Sequence, residues 1–338
     1  MAPQVSRAVD KMGQSRVLPW ATLFSTTSIL LLLASTYLDL PYWTLYLFAF
    51  GGGCMPNMSA LVRSRWTSIY RGSPKLHTAY SFESVVDEIC FIIGPPISVG
   101  LSVALLPQAG LLLAIVFLVL GVSLFILQKE TEPKVSIENV TSSGSALQSF
   151  PVRVLVFSLI ALGTIVGAVD IISVAFAQQA GTPAAASIVL SVYAIGSCLA
   201  GLIFGTLELR MTLQKQFVLA SFFTAITTIP FLFVESIFAL SVCVFFAGLF
   251  FAPTMILAMG LVEKNVPESQ LTEGLTWMST GLGIGAGLGA ALAGWLVNDY
   301  AISISFYVAL IAGFMVWLLS LLLSRVINMV VDQKKVTC

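Results

Sequence analysis

Residues 6–20 read SRAVDKMGQSRVLPW. The stretch is polar and basic, carries one glycine, and has the composition of a loop between two helices. It stands at the start of a chain that is otherwise apolar. Of 338 residues, 58% are hydrophobic and only 9% charged, against roughly 25% charged in a soluble domain. A bilayer core needs about 20 apolar residues per helix, and about ten such runs follow: approximately 17–37, 41–62, 79–104, 108–128, 152–177, 183–206, 216–234, 236–260, 271–297 and 301–324. The expected fold class is therefore all-α, a polytopic membrane protein with about ten transmembrane helices.

The charges orient these runs. All sixteen Lys and Arg residues fall in or at the edge of alternate gaps, 1–16, 63–78, 129–153, 207–215, 261–270 and 325–338, and the opposite gaps contain none. By the positive-inside rule the basic set, and both termini, face the cytoplasm. Net charge is zero, so nothing in the composition points to nucleic acid. Cys54, Cys90, Cys198 and Cys243 lie inside apolar runs, which is core usage, and no His/Cys/Asp/Glu spacing suggests a metal site or a cofactor. No Ser-His-Asp or Cys-His set occurs either, which argues against an enzyme.

An internal repeat is visible. FAFGGGCMPNM in the second run and FFAGLFFAPTM in the eighth align Gly51 with Gly248, Pro56 with Pro253 and Met58 with Met255. The organisation expected is an N-terminal bundle of about four helices over 1–128, a polar cytoplasmic linker over 129–151, a six-helix bundle over 152–325 and a cytoplasmic tail over 326–338. Glycines 281, 283, 285, 287 and 289 follow no strand and precede no lysine, so they are not a nucleotide loop. Gly281, Gly285 and Gly289 read instead as a small-residue stripe for close helix packing.

Two groups of acids carry candidate chemistry. Glu83, Asp87 and Glu88 lie within one and a half turns at the cytoplasmic start of their run, with Glu83 and Asp87 on one face. They read as a proton relay, as a gate paired to Arg63, Arg65 or Arg71, or as carboxylates at headgroup level near a helix N-terminus. Asp170 lies seventeen residues past Arg153, deep in the hydrocarbon at about 1.5 Å per residue. An acid at that depth costs about 2.5 kcal/mol or more and normally faces a cavity. It reads as a proton site, as a contact for a cationic or polyhydroxylated substrate, or as a packing residue close to outer-face water beside Gln178 and Gln179. These acids are expected at different depths. Gln178, Phe50 and Trp277 are further substrate candidates.

VDKMGQSR, residues 9–16, resembles the loop between the second and third helices of the major facilitator superfamily, whose pattern is G-x-x-x-D-R/K-x-G-R-R/K. Asp10, Lys11, Gly13 and Arg16 match; Ser6 stands at the leading glycine position and Gln14 at a usually basic one. RSRWTSIYRGSPKLHTAYSFESVVDEICFIIGP is similar to the loop and fifth helix of bacterial efflux members, with Gly94 and Pro95 matching part of their antiporter motif, and GLTWMSTGLGIGAGLGAALAGWLVNDY to their eleventh helix. The resemblance implies a two-bundle architecture, helices numbered three to twelve with the first two lacking, and alternating-access efflux of a small molecule, with protons as a candidate coupling ion. It further implies a monomer in the bacterial inner membrane, and a latch in which Asp10 meets the N-terminus of the eleventh helix near Glu273. Leu47 stands where proton-linked members carry arginine, which leaves coupling open. A truncated, non-transporting membrane remnant or scaffold is the alternative.

Overall fold

The computed structural model describes residues 2–133, 145–182, 185–207 and 210–336, so residues 134–144 of the expected linker lie outside the described residues. Twelve α-helices occur among these residues, and no strand. They are α1 (Ala2–Met12), α2 (Gln14–Tyr37), α3 (Tyr42–Gly52), α4 (Met58–Tyr70), α5 (Lys75–Ala104), α6 (Ala109–Leu127), α7 (Phe150–Gln179), α8 (Ala185–Thr206), α9 (Leu213–Thr228), α10 (Ile237–Asn265), α11 (Leu271–Asp299) and α12 (Ile302–Val336). Among the described residues, eight helical segments are long and apolar enough to cross a membrane. The two remaining apolar runs of the sequence correspond to 41–62, which is divided between α3 and α4, and to 79–104 within α5.

The opening stretch differs from the loop its composition suggests. Residues 2–12 are helical, with Pro3, Ser6 and Val9 buried at a spacing of three and Lys11 exposed on the other side. An amphipathic helix of this kind is polar on average because only one face is covered. Gly13, at φ 91°, then turns the chain into α2, a conformation that residues with a Cβ rarely adopt.

The two copies of the repeat also differ. α3 stops at Gly52, and Asn57 starts α4 by accepting a hydrogen bond from the Ala60 amide at 3.1 Å. The equivalent Pro253 sits inside an unbroken α10, as membrane helices tolerate when neighbours satisfy the freed carbonyls.

The chain divides into two compact units. The first comprises residues 1–73, 89–146 and 267–276, the second 74–88, 147–266 and 277–338. In the first, α2 packs on α1, α3 and α6, around a core of Val9, Leu18, Leu61 and Val122. In the second, α7 packs on α12 and α10, and α10 on α8 and α9. Its core includes Leu155, Leu159, Ile172, Val244, Leu257 and Val316. Lipid tails are as apolar as these side chains, so packing and hydrogen bonds, rather than burial from water, hold such helices together. Hydroxyls inside the spans bond back along their own helices, for instance Ser28 to the Phe24 carbonyl and Ser158 to that of Val154.

Candidate functional site

In the second unit, α5 and α8 run antiparallel in close contact. A Cβ on Gly205 would meet the Ser81 side chain, and one on Gly201 would come within 3.3 Å of Val85, so small residues on α8 set the approach. At one end of this ladder His77 Nε2 lies 2.8 Å from the Phe204 carbonyl oxygen, and the Thr78 hydroxyl donates to the Gly205 carbonyl at 3.0 Å. Two to three turns further along, the Ser197 hydroxyl donates to the Glu88 carboxylate at 2.7 Å. Tyr193, one turn from Ser197 on the same face of α8, packs its ring against Phe251 of α10 at 5.9 Å between centroids. The α8–α10 approach depends on Gly248, since a Cβ there would strike the Tyr193 carbonyl oxygen.

Tyr193 lies within electrostatic range of two carboxyls, those of Glu88 and Asp170. Asp170 is exposed on α7, and among the described residues none makes a hydrogen bond or ion pair with it. Of the other acids, Glu83 is buried and Asp87 half-buried on α5. Gln178 is exposed at the end of α7. Trp277 is half-buried with its indole N–H unpartnered, and Phe50 is exposed in the first unit. Tyr193 and Ser197 were not singled out in the sequence. Their spacing of four on one face of a largely apolar helix was the available signal.

A second polar site lies in the first unit. The Asp10 carboxylate accepts from two backbone amides at the start of α11, Thr272 N at 3.2 Å and Glu273 N at 2.8 Å. These are donors that a helix N-terminus leaves unsatisfied. Glu273 is itself buried, accepts from the Ser145 hydroxyl, and lies 4.0 Å from the Arg7 guanidinium. Burial pushes the Asp10 carboxyl up to about 7, outweighing the hydrogen bonds from Thr272 and Glu273 that favour its ionised form. Ser6 bonds Thr276 through their hydroxyls at 2.7 Å, both residues fully buried.

Gln14, at the usually basic position, is buried and accepts from Arg65 Nε at 2.7 Å. A cation there would repel Arg65. The Arg65 guanidinium also donates to the Gln128 carbonyl and the Thr131 hydroxyl, each at 2.8 Å, and lies 3.6 Å over the Phe125 ring. Burial lowers its pKa, and Glu132 opposes the shift. Lys11 and Arg16 are exposed.

The glycines of α11 fall into two sets. Cβ atoms on Gly285 and Gly289 would strike the carbonyl oxygens of Ile160 and Thr164 on α7, and one on Gly281 would lie 3.0 Å from that of Val156. Gly163 and Gly167 of α7 face α11 in the same way. Gly283 and Gly287 face open space, as does Gly94 on α5; the Pro95 side chain lies outside the described residues.

The sequence matches the Major Facilitator Superfamily over residues 154–334, more than half of the chain. The chain belongs to the Major Facilitator Superfamily. Solved structures of the same architecture cover nearly all of it. A bacterial homologue of the iron transporter ferroportin, in its outward-facing state, superposes with a TM-score of 0.69 at 18% identity, over 96% of this chain and 86% of the homologue. The human organic anion transporter MFSD10 (TETRAN) gives 0.70 at 13%, over 93% and 80%. FucP in the outward conformation gives 0.67 at 12%, over 95% and 86%. At these identities the likeness is one of fold. No curated protein matches the sequence significantly.

As a Major Facilitator Superfamily member the protein is a multi-pass membrane transporter of a small molecule and not an enzyme.

Proposed function

We propose that this transporter exports a small molecule across the bacterial inner membrane by alternating access, in exchange for protons, as a monomer with both termini in the cytoplasm. The observation that carries the reading is that Glu88 and Asp170, in runs that contain no basic residue, both lie within electrostatic range of Tyr193. Carboxyls in hydrocarbon are costly and are retained where they exchange a proton or meet a substrate. Ser197 holds Glu88 in place while Asp170 is left accessible to a passing ligand or proton. Protonation from outside would release the substrate, and substrate loading from inside would displace the proton.

Asp10, at the α11 N-terminus with Glu273 beside it, acts in this proposal as the conformational latch, and Gly281, Gly285 and Gly289 allow α11 to slide on α7. The test is reconstitution into liposomes with an imposed pH gradient and a panel of labelled cationic, neutral and anionic compounds. The expected result is uphill movement of at least one compound that collapses with the gradient and is abolished in Asp170→Asn at equal reconstituted protein. Movement that is indifferent to both the gradient and the substitution removes proton exchange and Asp170 from the mechanism. No movement of any compound favours a non-transporting scaffold.

A further inference from the structure

We infer that Ser6 and Thr276 form a bolt at the point where α11 leaves the first unit, and that this bond sets how readily the start of α11 comes away from α1. The inference adds an uncharged element to the latch assigned to Asp10 above, and rests on that reading for its part in transport.

The contact between α1 and α11 is a ladder with two rungs. Ser6 and Asp10 lie four residues apart on α1 and share a face; Thr272 and Thr276 do the same on α11. Ser6 and Thr276 bond through their hydroxyls at 2.7 Å, and Asp10 accepts from the Thr272 amide at 3.2 Å. Residue 6 thus pairs with 276 and residue 10 with 272, an antiparallel register in which the rungs stand about 6 Å apart along each helix. The Thr272 hydroxyl is held in turn, donating to the Ser64 hydroxyl of α4 at 3.2 Å.

The Ser6 rung stands at a fork. Residues 267–276 belong to the first unit, and from residue 277 α11 continues in the second, where Gly281, Gly285 and Gly289 meet α7. Thr276 is therefore the last residue of α11 held by the first unit. A separation that starts at the fork breaks the Ser6–Thr276 bond before it reaches Asp10. Both hydroxyls are buried, at 0% and 1% exposure. No bulk water is at hand to replace the broken bond, and a buried hydroxyl left alone costs more than the net worth of the bond it made. Ser6 occupies the leading glycine position of the family pattern, and a glycine could make no such bond.

The experiment is amide hydrogen exchange, followed by mass spectrometry on peptides covering residues 271–280, of the purified full chain in nanodiscs at one pH. Wild type is compared with Ser6→Ala, Thr276→Val, their double variant and Thr276→Ser. Exchange about tenfold faster in each of Ser6→Ala and Thr276→Val, no faster in the double variant, and within about threefold of wild type in Thr276→Ser supports the inference. Wild-type exchange in both single variants overturns it. So does a double variant in which the two effects multiply, because independent losses of packing would then account for them. Should the double variant fail to fold, the contrast between Thr276→Val and Thr276→Ser decides, and equal exchange in those two overturns the bond. Exchange is read without a substrate, so the bolt fails on these results alone, whereas the transport reading fails only on the liposome assay.

Discussion

Titrating Asp10 should change the stability of the first unit in a direction the structure fixes. The carboxyl is raised from 3.8 to about 7, chiefly by burial. Because the folded value lies above the unfolded one, the folded protein holds this proton more tightly. The resulting stabilisation is complete below about pH 3.8 and is lost as pH rises through about 7. At about 1.36 kcal/mol per unit, the full contribution is about 4 kcal/mol, of which about 2.5 kcal/mol disappears between about pH 5 and pH 8. Asp10→Asn is neutral throughout this range. It also presents an NH2 group to one of the two α11 amides, which costs a constant amount at every pH. The assay is thermal unfolding of purified protein in one detergent at one scan rate, wild type against Asp10→Asn, in steps across this range. The wild-type midpoint should fall by several degrees relative to the variant as pH rises. Parallel profiles, or a wild type gaining on the variant, would refute the assignment of a near-neutral titration to Asp10.

Other substitutions separate packing from chemistry. Gly285→Ala should destabilise by about 1–3 kcal/mol, because its Cβ collides with the Ile160 carbonyl on α7, whereas Gly283→Ala, facing open space, should stay within about 0.5 kcal/mol; equal midpoints for the two would contradict this packing. Arg65→Lys should cost about 1–3 kcal/mol, since an ammonium cannot reach Gln14, Gln128 and Thr131 together while stacking on Phe125. An unchanged melting midpoint would show that the guanidinium fork is dispensable. Asp170→Asn should retain wild-type expression and monodispersity while losing proton-dependent flux, and loss of expression instead would mark it as a packing residue.

The architecture was legible because its signals are local. Each apolar run encodes a span by length alone, and the segregation of Lys and Arg orders the runs without reference to packing. The opening stretch was half legible. The spacing of Asp10, Lys11, Gly13 and Arg16 pointed to the family, but residues 2–12 read as loop because the helix is polar except on the face covered by Pro3, Ser6 and Val9. The unequal treatment of Pro56 and Pro253 was illegible, since the same local sequence breaks one helix and not the other according to its neighbours. The acid site was obscured for a related reason. Depth counted along one helix cannot reveal that Gly201 and Gly205 bring α8 against α5, and it is this contact that sets Ser197 on Glu88. Gln14 and Ser6, departures from the family pattern in sequence, make structural sense only with Arg65 and Thr276 in view.

Exchange of a proton for substrate at Glu88 and Asp170 is the step on which transport rests, and proton release measures it most directly. A compound that moves in the liposome assay would be added to purified wild-type protein in lightly buffered detergent solution near neutral pH while the bulk pH is recorded, with the doubly substituted Glu88→Gln, Asp170→Asn protein alongside. The account predicts a saturable release of protons from the wild type and none from the double variant. Binding without release, or equal release from both proteins, would contradict it.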